Sequence, residues 1–82
     1  VNSELHLRRL NVDEALIRLD RYLNDAFIAG LPTVRLIHGK GTGTLRQAVR
    51  EELKTHPLVK SFRPAELEDG GNGATIVELA NH

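Results

Sequence analysis

Eighty-two residues suffice for one modest core and are too few for a full dinucleotide-binding or P-loop enzyme. Basic and acidic side chains balance at 11 each, which argues against a nucleic-acid binder of the strongly basic kind. The lack of cysteine removes disulfides and thiolate metal sites, and with no apolar run of membrane-spanning length and no signal-peptide layout the expected setting is the cytoplasm.

The chain begins with Leu5-His6-Leu7-Arg8, whose alternation predicts a half-buried strand with Leu5 and Leu7 inward and His6 and Arg8 on the other face. Asn11 and Glu14 have capping-box spacing and open a helix whose buried stripe is Ala15, Leu16, Leu19, Leu23, Ala26 and Phe27. Gly30 and Pro32 end it. A second strand is read over Thr33 to Ile37 and a second helix from about Thr44, whose spacing to Gln47 gives another capping box, with Leu45, Ala48, Val49 and Leu53 inward. Lys54 and His56 suit its C-terminal end, and Pro57 closes it. Leu58 to Phe62 and Ala74 to Leu79 read as further strands. Asp69-Gly70-Gly71-Asn72-Gly73 is turn chemistry for an antiparallel hairpin with a long acidic loop. The order β-α-β-α-β-β makes the expected fold an α/β (α+β) two-layer sandwich, a mixed four-stranded sheet with both helices on one face and the other partly open.

Charge is unevenly spread along this order. Residues 1–30 hold four basic and five acidic side chains, 31–63 hold seven and two, and 64–82 hold none and four. Such a distribution suits one phosphate-facing surface, although short chains also segregate charge by scatter.

The middle segment contains His38-Gly39-Lys40-Gly41-Thr42-Gly43 between the second strand and second helix. Glycines in that position let the backbone approach an anion, while free first-turn amides and the helix dipole point at it. Lys40 supplies charge inside the loop, and Arg46 and Arg50, one turn apart, offer contacts to successive phosphates. Thr42 adds a hydroxyl. His38 titrates near neutrality and is the leading candidate for general acid or base. A tight strand-to-helix connection would also use glycines, so it is the alternating spacing together with His38, Lys40 and Arg46 that favours phosphate binding. ATP and NAD are not expected, because Lys40 precedes a glycine and the spacing is G-x-G-x-G.

The run His38 to Gly43 followed by Leu45-Arg46 resembles the HGxG signature of Smr (small MutS-related) domains, particularly those ending bacterial MutS-like proteins of the second type. Glu14-Ala15-Leu16, Ala29-Gly30-Leu31-Pro32, His56-Pro57-Leu58-Val59 and Gly70 to Thr75 also resemble that family, so the likeness covers essentially the whole chain. It implies a fold similar to the C-terminal domain of translation initiation factor three. In function it implies binding of branched or structured nucleic acid and, in many members, nicking of DNA or cleavage of RNA. It also implies one Smr domain over residues 1–82 as the C-terminal fragment of a larger protein, with MutS-like ATPase domains as partners. Asn2 to Glu4 read as a stub of that parent.

The family's first-strand pattern is Leu-Asp-Leu-Arg or His, then Gly. Here the Asp position is His6 and the Gly position is Arg9, while Arg8 retains the pattern. Two readings follow: an endonuclease module with His38, Arg8 and His6 at the reaction and Gly39 to Gly43, Arg46 and Arg50 on phosphate, or a recognition module that directs an ATPase to branched DNA or to RNA on stalled ribosomes. His6 is equally readable as an exposed strand residue. Four scattered histidines give no zinc site and no tightly held metal. The remaining cofactor expectation is a loosely bound divalent cation held mainly by substrate phosphates, with Glu68 or Asp69 assisting.

Overall fold

The alternation at Leu5-His6-Leu7 forms a three-residue strand, β1 (Glu4–His6), in the computed structural model, which describes residues 1–81. Leu7 is fully buried just beyond it, and its amide donates to the Ile37 carbonyl at 2.7 Å. Leu5 packs partly buried on the same core, whereas His6 is exposed. The strand stops sooner than its alternation suggests. Arg8 lies in a turn, and Arg9 there adopts φ 66°, the left-handed region that favours glycine.

Helix α1 (Val12–Ile28) starts at Asn11, whose Oδ1 accepts the Glu14 amide at 2.8 Å. The Glu14 carboxylate returns to the Asn11 side-chain amide at 2.6 Å, so the box closes through side chains instead of the cap's backbone N–H. Ala15, Leu19, Leu23 and Ala26 are buried at helical spacing, while Leu16 and Phe27 are half-buried. Strand β2 (Thr33–Ile37) follows, then helix α2 (Thr44–Thr55). The cap of α2 differs from expectation: Gly43, at φ 86°, is the N-cap and has no side chain to offer, Thr44 is the first helical residue, and its amide is accepted by the Thr42 hydroxyl at 3.4 Å. The Thr44 hydroxyl pairs with that of Thr42 at 2.9 Å, and Gln47 donates to Glu51 instead of reaching back. His56 closes α2, its Nδ1 accepting the Leu58 amide at 3.2 Å and its Nε2 lying 3.4 Å from Asp20 on α1.

The last two strands are β3 (Val59–Pro64) and β4 (Ala74–Leu79), joined by two short 3-10 turns, Leu67–Asp69 and Gly71–Gly73. Strand order is β1-β2-β4-β3, with β1 parallel to β2 and β4 antiparallel to both neighbours. Lys60 is the extra residue of a bulge between Val59 and Ser61. Alternate residues Val34 and Leu36 of β2 and Val77 and Leu79 of β4 join Leu19, Leu23, Val49 and Leu53 in one core. Both helices therefore cover one face of a four-stranded mixed sheet. The opposite face is formed by the intervening positions, among them Glu4, His6, Arg35 and Ile37 in the register Glu4↔Arg35 and His6↔Ile37. Among the described residues no helix is long and apolar enough to cross a membrane.

Candidate nucleic-acid interface

Leaving β2, the chain turns through three glycines that all occupy the left-handed region: Gly39 at φ 77°, Gly41 at 39° and Gly43 at 86°. A side chain at each would be strained there. The loop is tied to the hairpin by the Gly73 carbonyl, which accepts both the His38 amide at 3.1 Å and the Gly39 amide at 2.9 Å. At its far end the amides of Leu45 and Arg46, in the first turn of α2, lie beyond reach of the helix's own carbonyls.

Two arginines approach this loop. The Arg8 stem crosses Gly39 so closely that a Cβ there would meet Arg8 Cγ at 3.4 Å, and a Cβ on Gly43 would meet the Arg46 guanidinium at 3.2 Å. Lys40 is exposed between two clefts and lines both. One, of about 440 Å³, runs between the loop and the start of α1 and is lined by Arg9, His38 and residues 39–44. The other, of about 480 Å³, lies on the open sheet face and is lined by His6, Arg8, Arg35 and Lys40, with Glu68 and Asp69 on its hairpin side. The acidic segment that is distant in sequence thus faces the basic one. Arg50 lines neither cleft. It is half-buried one turn beyond Arg46, and the charges of both reach His38.

His38 is 4% exposed, less than its expected proton-transfer role requires. Its Nδ1 donates to the Gly39 carbonyl at 2.9 Å, which leaves Nε2 to accept the hydroxyl of fully buried Thr75 at 2.8 Å. Burial pushes its pKa below 6.5, opposed by the Gly39 carbonyl and reinforced by Arg50 and Arg46. His38 is thus a neutral imidazole bracing the loop against β4. His6 and His38 are both expected at the reaction. The structure separates them, His6 in the sheet-face cleft and His38 on the helix side, because consecutive strand positions point to opposite faces.

Sequence reasoning overlooked Glu4, Arg35 and Thr75. Glu4 accepts from Arg35 Nε at 2.9 Å and from Arg35 Nη2 through Oε2, and contacts His6 Nε2 through Oε1 at 2.7 Å. Its carboxyl is held below the ordinary glutamate value chiefly by the Arg35 guanidinium and secondarily by His6. Arg35 also donates to the Asp69 carbonyl at 3.1 Å. Glu4 and His6 are two residues apart on a strand, a spacing that puts both side chains on one face. Arg35 becomes visible only once the parallel register is known.

The fold and site define a small α/β module with a glycine loop between a strand and a helix, flanked by arginines and backed by a sheet. The chain belongs to the Smr domain family, whose profile matches residues 5–80. It is similar to the endonuclease MutS2 of Thermomicrobium roseum, 61% identical over 79 residues, and to that of Geobacillus kaustophilus, 57% identical over 79 residues. Each match covers 96% of this chain and 10% of the relative, so the chain spans about a tenth of the length of these relatives. Among solved structures, the Smr domain of Thermus thermophilus MutS2 aligns with TM-score 0.93 and 51% identity, covering 94% of this chain and 96% of that one. YdaL, a stand-alone small MutS-related protein from Escherichia coli, aligns with TM-score 0.91 and 29% identity, covering 96% and 65%.

Proposed function

We propose that this domain is a nuclease module that grips the phosphate backbone of structured DNA or RNA and hydrolyses a phosphodiester bond in the cytoplasm, as the C-terminal domain of a MutS-like ATPase. The observation that carries the reading is the convergence of Lys40, Arg8 and Arg46 on a loop whose three glycines are all left-handed. Loop amides and Lys40 bind one phosphate at the helix start, and Arg8 stabilises charge developing on phosphorus from the adjoining sheet-face cleft. His6, the exposed imidazole of that cleft, is better placed than His38 to exchange a proton with substrate. Among the described residues no three potential metal ligands converge. A divalent cation in the cleft would take a carboxylate from Glu68 or Asp69 and its other oxygens from substrate and water. The names of the MutS2 relatives, which are endonucleases, agree with this reading.

The internal bonding of His38, together with histidine in place of the family's aspartate, favours one second reading: a recognition module that binds without cutting and delivers its ATPase to branched DNA or to ribosomal RNA. Incubating the domain with supercoiled plasmid and with matched structured RNA, with and without chelator, separates the two. Nicked or cleaved product that disappears in Lys40→Ala supports the nuclease. Salt-dependent binding with no product establishes the recognition module.

A further inference from the structure

Three side chains on the open sheet face form a connected array that the phosphate loop does not explain. Each oxygen of the Glu4 carboxylate has its own partner: Oε1 contacts His6 Nε2 at 2.7 Å, and Oε2 accepts from Arg35. Arg35 sits directly opposite Glu4 in the parallel register, and its remaining Nη1 donates to the Asp69 carbonyl at 3.1 Å. The carboxylate is thereby anchored by the neighbouring strand, through an arginine that the hairpin turn in turn holds. His6 and Arg35 both line the sheet-face cleft with Arg8 and Lys40.

Exposed ion pairs contribute little to stability, and the side chains here are 66% exposed for His6 and 27% for Glu4. The consequence of the array is orientation. A carboxylate on one ring nitrogen draws the proton to that nitrogen and leaves the other as acceptor, the role a buried carboxylate has in hydrolytic triads. We infer that Glu4, anchored by Arg35, is a positioning residue that holds His6 as the Nε2–H tautomer, so that Nδ1 serves as the base in the sheet-face cleft for phosphodiester hydrolysis. This rests on the nuclease reading above and supplies the base for a chain that lacks the aspartate.

In the step so assigned, His6 Nδ1 takes a proton from water as the water oxygen bonds to phosphorus. The bond from phosphorus to the leaving sugar oxygen breaks, and that oxygen keeps the electron pair and takes a proton from solvent. The imidazolium then returns its proton to solvent. Arg8 and Lys40 face the charge that accumulates on the phosphoryl oxygens.

The test combines two readouts on the parent, Glu4→Ala, Glu4→Gln, His6→Gln and the Glu4→Ala/His6→Gln double variant. Long-range proton–nitrogen NMR of the ring reports the His6 tautomer, and plasmid nicking at saturating protein reports turnover alongside DNA affinity. The expected result is a dominant Nε2–H tautomer in the parent that becomes mixed in Glu4→Ala. Turnover should fall tenfold to a hundredfold in Glu4→Ala with affinity unchanged, and less in Glu4→Gln, which retains an acceptor oxygen. The double variant should be no slower than His6→Gln. A mixed tautomer in the parent, or a parent that nicks at the same rate as Glu4→Ala, overturns the positioning role while leaving the nuclease reading intact. A parent that binds but cuts neither DNA nor RNA overturns both the nuclease reading and the base.

Discussion

Arg9 shows how a family pattern becomes legible once its backbone is seen. The resemblance marks this as a glycine position, and the structure supplies the reason: φ is 66°, where a Cβ crowds its own backbone. Arg9→Gly should therefore raise unfolding free energy by about 0.5–1 kcal/mol, as urea titration would measure, although Arg9 also lines the loop cleft and its loss should weaken DNA binding. His38 yields a pH prediction. Its folded-state pKa is pushed below 6.5 by burial, so on acidification the unfolded chain takes up the proton first. The stabilisation by neutral His38 is complete above about 6.5 and declines as pH falls toward the folded value. Melting temperatures from pH 8 to 5 should fall more steeply in the parent than in His38→Gln, whose amide cannot titrate. Parallel curves would mean that the imidazole is not buried in solution.

At the scale of elements, α1 and α2 meet through a like-charged pair. Glu52 has its pKa raised first by a side-chain hydrogen bond with Asp20, then by burial and by the Asp20 charge. A raised carboxylate opposes folding as pH climbs through its folded value, so Glu52→Gln should raise the melting temperature at pH 7, a gain that vanishes below about pH 4. Under the proposed function the loop and α2 act together on phosphate, so Lys40→Ala and Arg46→Ala should each flatten the slope of log affinity against log salt by about 0.9 on duplex DNA. An unchanged slope in both would put the binding face elsewhere. Periodicity was sufficient to identify both helices, the two central strands and the glycine loop, because burial imposes spacings of 3.6 and 2 that Leu19, Leu23, Val34 and Leu36 obey. It could not say that Gly43 caps α2 in place of Thr44, since a left-handed N-cap and a side-chain cap share the same residue alphabet. Nor could it show the burial of His38, which depends on Thr75, 37 residues away across the sheet.

For the molecule as a whole, linear charge blocks proved a poor guide to surfaces. The acidic turn carrying Glu68 and Asp69 is folded against the cleft that holds Arg8, Arg35 and Lys40, so the cleft is mixed in sign. Glu68→Gln should accordingly tighten DNA binding modestly at low salt and leave it unchanged at high salt, where Debye screening shortens the carboxylate's reach. Strand order has a consequence for how this domain comes into being. The last strand to be synthesised, β4, is the one that fills the gap between β2 and β3, and the Gly73 carbonyl immediately before it anchors the glycine loop. On a ribosome, everything upstream must wait with β2 and β3 unpaired at their facing edges, a period of exposure to misassembly. The glycine loop is therefore pinned only when the final residues of the domain emerge, and under the proposed function its grip on phosphate arrives with them rather than accumulating along the chain.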